Sequence, residues 1–393
     1  MNVSTGDPRI SGAVIVGAYQ SKYSKTPDTT ALHLLLDSVA ESIEGIGVEP
    51  QSVDGLAVSS YQLPPDNVVT VAEQLGLELS WAYQAVQGGA GPLIGVISAA
   101  EAITQGRVSI AVCAAADAFH VESHMGLFER FNSGMRDYLV PYGFGGTNGL
   151  FALVERQHRY LFGTAREHLG KLAVTQRRHA QLNPNALLVD DLTLEDYLSA
   201  RVIADPIRLF DCVMPCSGAD VVVLMGRDRA EGLGLPGVEL LSGEQRHNSR
   251  PMDAISLTTG AATFAEELFA RAGLRRSGLD FVQLYDDYPI MEVIQLEDLG
   301  FAPKGQGGRF VEEHDLSIGG ELPINTGGGQ LSCGQAGAAG GMIGLIEAVE
   351  QLLGRAGERQ IPQATYGLVS GFGMVGYGKG LSSAAAILGG PRS

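Results

Sequence analysis

The sequence predicts an α/β protein built from two pseudo-equivalent halves. Two observations predict it: strand-like and helix-like stretches alternate along the chain, and one turn-helix-strand segment occurs twice. In the first copy Gly88-Gly89-Ala90-Gly91 opens a helix reading IGVISAAEAI, and in the second Gly334-Gln335-Ala336-Gly337 opens one reading IGLIEAVEQL. Ile94/Ile343, Gly95/Gly344, Ile97/Ile346, Ala99/Ala348 and Glu101/Glu350 match at a constant offset. Each helix is followed by a glycine and then by an apolar strand, VSIAVCAAAD or ATYGLVSGFG. A chain of 393 residues is also long for one ordinary core and suits a duplicated domain.

Taken in order, ISGAVIVGAY predicts a strand, ALHLLLDSVAESIEGI an amphipathic helix and VDGLAVSSY a second strand. A helix from Val68, the strand WAYQAVQ, a Gly-rich turn, a helix over 92–105 and the buried strand VSIAVCAAAD follow. Residues 121–206 differ: they are polar, rich in Arg and His, and carry loop signals at 141–147 and 183–185, which predicts a helical and loop insertion over the sheet. Pattern returns at ADVVVLM, and GRDRAEGLGLPG (226–237) reads as a connector. The halves are therefore expected at 1–235 and 236–393.

Composition excludes several classes. A net charge of −17 argues against a nucleic-acid partner, which needs clustered Lys and Arg, yet leaves room for a local anion site such as one for coenzyme A. No run of about 18 apolar residues predicts a membrane span, and the first twenty residues lack the basic region of a secretory signal, so a cytoplasmic protein is expected. Four cysteines make no disulfide framework. Cys212 and Cys216 have no second pair or nearby histidine to complete a zinc site, so no metal is expected.

Gly-rich entries to helices admit a ligand or a neighbouring backbone, and the free N–H groups of a first turn attract developing negative charge. The C-terminal half collects three Gly-rich or polar loops, in LYDDYPIMEVIQLEDLGF, LPINTGGGQLSCGQAGAAGG and GLVSGFGMVGYGKG, which predicts a shared pocket. These stretches carry a resemblance. LPINTGGGQLSCGQ resembles the thiolase superfamily's Asn-Thr-Ser-Gly-Gly stretch ending in Gly-His-Pro, and YDDYPIMEVIQLEDLGF resembles the His-Asp-Cys-Phe stretch of its sterol-carrier or lipid-transfer branch. MPCSGADVVVLM sits where that family has an Asp-Gly-Ala strand entry. The resemblance covers essentially the whole chain and implies the thiolase fold, a five-layered αβαβα arrangement of two halves, as a homodimer.

The chain departs from the family at the reacting groups. Counting back from Gly106, the acyl-accepting cysteine falls on Gly89, and no cysteine precedes Cys113. Gln335 stands for the Gly-His-Pro histidine, and VSGFGMVGYG offers Val369 or Ser370 for the second cysteine. Covalent acyl transfer needs a thiolate, which neither Gly89 nor Ala90 supplies. Retro-aldol cleavage of a β-hydroxyacyl-CoA needs only a base for the hydroxyl and donors for the thioester enolate. The resemblance extends to thiolase-like aldolases that shorten steroid side chains. Those carry tyrosines at the former catalytic positions and work with a small zinc-ribbon and OB-fold partner, which implies a heterotetramer.

Tyr285 is the expected acid/base, with Asp287 beside it; Asn325, Gln335 and the backbone near Gly89 are expected to hold the enolate, leaving Gly89 as room for the substrate. Tyr377 on the last Gly-rich loop, and His120 and His124 after the first buried strand, are further candidates. Gly89, Ala90, Gly328, Gly329 and Gly373 are the expected contacts to coenzyme A, which enters as part of the thioester and not as a tightly bound cofactor. Plainer alternatives stand beside these: Asp286 or Asp287 caps the Pro-started helix, Gln335 caps the helix after it, and Tyr377 packs in a loop. Two other functions stay open, an acyltransferase using Cys333 and a non-catalytic subunit that binds acyl-CoA or lipid.

Overall fold

The structure is a computed structural model that describes residues 10–26, 28–120, 132–144, 146–250 and 252–391. Its strands join in the order β3-β2-β4-β7-β1-β8-β11-β10-β9. The first set comprises β1 (Ala13–Gln20), β2 (Gly55–Ser59), β3 (Trp81–Gln84), β4 (Ile110–Ala118) and β7 (Ser217–Gly226). The second comprises β8 (Val238–His247), β9 (Phe281–Gln283), β10 (Tyr366–Gly376) and β11 (Lys379–Gly389). The sets meet where β1 pairs with β8 at Val14 and Ile15.

The pairing repeats between sets. Parallel β2/β4, antiparallel β4/β7 and antiparallel β7/β1 correspond to parallel β9/β10, antiparallel β10/β11 and antiparallel β11/β8. Ile324 bridges Val282 in parallel where β3 pairs with β2. The duplicated helices α3 (Gly91–Thr104) and α13 (Ile343–Leu352) precede β4 and β10 respectively.

Layering follows from side-chain alternation, since strands buried on both faces send every second residue each way. On β4, Ile110, Val112, Ala114 and Ala116 pack with α1 (Ala31–Gly45) and α2 (Val68–Leu75), while Ala111, Cys113 and Ala115 pack with α3 and α13. On β11, Ala384, Ala386 and Leu388 turn to α3 and α13, and Ala385 and Ile387 turn to an outer cluster. That cluster contains residues of α9 (Ala265–Ala272) and α10 (Pro289–Asp298). Helix, sheet, helix pair, sheet and helix make five layers, with α3 and α13 in the middle one.

The insertion supplies α4 (Ser133–Tyr138), α5 (Gly146–Phe162), α6 (Arg166–Gln181), α7 (Leu194–Ser199) and the small β5–β6 ladder of Val202–Ala204 with Ile207–Arg208. Helices α5 and α6 add Phe151, Val154, Leu169 and Leu172 to the outer cluster, so the insertion lies over α10. Short helices α8 (Arg227–Gly232), α11 (Gly307–Glu313) and α12 (Gly329–Cys333) complete the set. Among the described residues no helix is long and apolar enough to cross a membrane, and no group of His, Cys, Asp and Glu is placed to hold a metal.

Candidate active site

Tyr285 follows β9, and its backbone is gripped from two elements. Its amide donates to Ser370 Oγ on β10 (3.0 Å), Ser370 Oγ donates to Gln295 Oε1 on α10 (2.6 Å), and Gln295 Nε2 donates back to the Tyr285 carbonyl (2.7 Å). This closed ring spends its hydrogen bonds on the backbone and leaves the phenol to the site. Ser370, which sequence offered in place of a second cysteine, is therefore a bracket for Tyr285.

The phenol fills the space that a side chain at position 89 would take. An ideal Cβ placed on Gly89 falls 2.2 Å from the Tyr285 hydroxyl and from Cε2, well inside van der Waals contact. Any larger residue at position 89 and this Tyr285 exclude each other, so the expected room for substrate at Gly89 is taken by the ring. The Gly89 and Ala90 amide nitrogens lie 2.5 and 3.0 Å from where a Cβ of Gly373 would stand, and the Gly89 carbonyl meets Gly341 in the same way at 2.2 Å. These glycines pack the turn between loops of both halves. The Gly-rich loops do converge, but backbone on backbone.

Asp287 is buried beside this phenol, and its Oδ1 has no hydrogen-bond partner among the described residues. Burial, and then the charge of Asp286, push its carboxyl well above the usual carboxylate range. Burial also raises the Tyr285 phenol, with Asp287 the next cause. Neither aspartate caps α10, whose N-cap is Tyr288 with no side-chain cap. Asp286 instead accepts from the Gln330 and Leu331 amides (2.9 and 3.1 Å) at the start of α12, and burial sets its pKa at about 6. Gly329 is required there: its φ is +58°, and a Cβ would lie 2.0 Å from Asp286 Oδ2. The Cβ side of Gly328 packs likewise on Ala180 of α6, while Gly329 also lines a small cavity beside Tyr285.

Asn325 is fully buried and already engaged. Its Oδ1 accepts from the Leu284 amide (2.7 Å), and its Nδ2 turns to Gln176 and Glu292 (3.4 Å each). Both ends of its amide are thus held by protein, and it lines a small cavity together with Tyr285. Gln335 does not cap the helix after it; its Nε2 donates to Gln330 Oε1 (3.1 Å). That bond aims the other end of Gln330, whose buried Nε2 has no hydrogen-bond partner among the described residues. Gln330 lies beside the Tyr285 phenol and lines the same small cavity as Tyr285, Asp286, Asn325 and Ser370. The Gln330 amide and the Asp287 carboxylate thus lie buried beside one phenol, groups able to meet a ligand's polar atoms.

Other expected residues fall elsewhere. Tyr377 sits 49% exposed at the β10–β11 turn with φ +54°, His120 is exposed just after β4, and His124 lies outside the described residues. Cys333 is buried, donates to the Gly327 carbonyl (3.1 Å), and has its thiol pushed up by burial, which disfavours the thiolate an acyltransferase needs. Cys113 and Cys216 are raised in the same way, and Cys212 to about 12.

Sequence reasoning missed Gln330, Gln295 and Tyr61. The Tyr61 hydroxyl is 2.9 Å from where a Cβ of Gly88 would stand, one residue from the Tyr285 contact. Its loop is fixed by buried Asp117, which accepts from Ser60 Oγ (2.8 Å) and from the amides of Tyr61 (3.0 Å), Gln62 (2.9 Å) and Ala338 (2.8 Å). The signal available was topological, since Tyr61 follows the carboxyl end of a strand in a parallel pair, where α/β sites gather.

Known proteins resemble this chain over most of its length. Residues 242–389 match the family described as thiolase C-terminal domain-like. A steroid side-chain-cleaving aldolase of Thermomonospora curvata is 30% identical over 97% of this chain and 98% of its own. A 17-hydroxy-3-oxo-4-pregnene-20-carboxyl-CoA lyase of Mycobacterium tuberculosis is 30% identical over 87% of this chain and 92% of its own. A solved structure of an Ltp2-ChsH2(DUF35) aldolase superposes with a TM-score of 0.82 at 28% identity, covering 97% of this chain and 98% of that one. With its strand order, its repeated central helices and a tyrosine in the nucleophile's space, the chain belongs to the thiolase superfamily, among the thiolase-like side-chain-cleaving aldolases.

Proposed function

We propose that the protein is a carbon–carbon lyase that splits a β-hydroxyacyl-CoA by retro-aldol cleavage, releasing a carbonyl compound and a shortened acyl-CoA. The observation that carries this reading is the Tyr285 phenol standing where a residue-89 side chain would be, which puts an acid/base at the former nucleophile position. The bond between the α- and β-carbons breaks, the hydroxyl becomes the carbonyl, and the electron pair passes to the thioester enolate. Tyr285 takes the hydroxyl proton as its own moves toward the Asp287 carboxylate, which burial makes a better proton acceptor than an ordinary carboxylate once it is ionised. Gln330 Nε2, aimed by Gln335, donates to the enolate oxygen, a role typically worth about 10²–10³ in rate.

Coenzyme A enters as the thioester of the substrate. A steroid or similarly bulky side chain is the acyl group the named relatives favour. In this reading the protein works as a homodimer with a small zinc-ribbon and OB-fold partner; a second component, though not its fold or the homodimer, is supported by the matched aldolase structure, whose name joins Ltp2 to ChsH2. A reducing compartment such as the cytoplasm suits its four unpaired cysteines. The test is to incubate the chain, alone and with that partner, with a 3-hydroxyacyl-CoA bearing a bulky β-substituent. Carbonyl product and shortened acyl-CoA in equal amounts support the proposal; an intact substrate in both arms refutes it.

A further inference from the structure

A retro-aldol cleavage has a second proton to place. Tyr285 and Asp287 account for the proton leaving the hydroxyl, but the enolate must still gain one at its α-carbon before the product leaves. Both ends of the Asn325 amide are taken by Leu284, Gln176 and Glu292, and Tyr377 and His120 lie exposed at the ends of their strands. Tyr61 comes to the turn itself. It is half-buried on the loop after β2, its hydroxyl lies against Gly88 as that of Tyr285 lies against Gly89, and four hydrogen bonds to Asp117 fix the loop that carries it. The two phenols thus come to adjacent residues of one turn from opposite halves of the chain. Asp287 serves both: after burial and Asp117, its charge is the next influence raising Tyr61, as it raises Tyr285.

We propose that Tyr61 is a second catalytic phenol of this site, the group that protonates the α-carbon of the enolate. The step rests on the lyase reading and balances without a co-reactant. The Tyr61 O–H bond breaks as the α-carbon–hydrogen bond forms, and the proton that Asp287 received through Tyr285 returns to the Tyr61 oxygen.

The experiment is hydrogen exchange at the α-carbon of the shortened acyl-CoA in D2O, read by mass spectrometry, beside cleavage of the 3-hydroxyacyl-CoA. Wild-type protein is expected to do both. Tyr61→Phe should lose exchange by about 100-fold or more while binding the acyl-CoA as before, and Tyr285→Phe should lose cleavage but keep exchange. Exchange by Tyr61→Phe at the wild-type rate overturns the inference, as does loss of exchange that is matched by loss of binding, since a structural role then suffices. Wild-type protein that exchanges but does not cleave refutes the lyase reading and leaves Tyr61 to be judged by its exchange arm; wild-type protein that does neither overturns both.

Discussion

Tyr285 is positioned by its backbone, so the hydroxyl is removable without loosening the ring. Tyr285→Phe is predicted to lower kcat by about 10²–10⁴-fold while leaving the thermal unfolding midpoint near that of the wild type, checked by rate assay and calorimetry. Asp287 predicts a pH dependence. Its carboxyl is raised by burial and then by Asp286, so the ionised base appears only as pH climbs past the ordinary carboxylate range. kcat/KM should rise with pH through that pKa, and Asp287→Asn should abolish the inflection in a pH–rate profile. Tyr285 and Asp287 could be singled out from sequence as candidates because both lie in one motif. Gln330 and Tyr61 were not legible, because their placement comes from partners distant in the chain or the fold: Gln335 bonds Gln330, and Asp117 holds the Tyr61 backbone. The partners that hold the Asn325 amide, Leu284, Gln176 and Glu292, were not legible because they lie far from it in sequence.

At the scale of elements, the turn before α3 is a close-packed joint. Gly88 and Gly89 meet the tyrosines, while Gly341, Gly371 and Gly373 press on the same turn from the other half. Gly89→Ala is predicted to destabilise the fold by about 1–3 kcal/mol through overpacking against Tyr285, and to displace the phenol. Denaturant unfolding measures the first effect, and loss of cleavage the second. Gly89→Cys should likewise fail to restore thiolase activity, because Tyr285 occupies the thiol's place. The strands, the central helices and their duplication were legible in hydrophobic periodicity, which is local. The filling of the Gly89 space was not, since it requires knowing that residue 285 returns to residue 89.

Across the whole molecule, Asp117 ties the halves together by bonding the loop after β2 and the turn before α13 with one carboxylate. Burial raises its pKa from 3.8 to about 6, so the folded state holds this proton more tightly than the unfolded chain. The stability contribution of that proton is complete below about pH 4 and is lost as pH rises through about 6, amounting to roughly 3 kcal/mol. Urea titrations from pH 4 to 7 should show this slope in the wild type and not in Asp117→Asn. The central claim is that the fold of a thiolase here breaks a carbon–carbon bond without an acyl-enzyme. Its most direct test is to react the protein and its partner with a 3-hydroxyacyl-CoA, with no free coenzyme A added, and to weigh products and protein by mass spectrometry. Equal amounts of carbonyl compound and shortened acyl-CoA with an unmodified protein mass are predicted; an acyl adduct on the protein, or cleavage that waits for added coenzyme A, would contradict it.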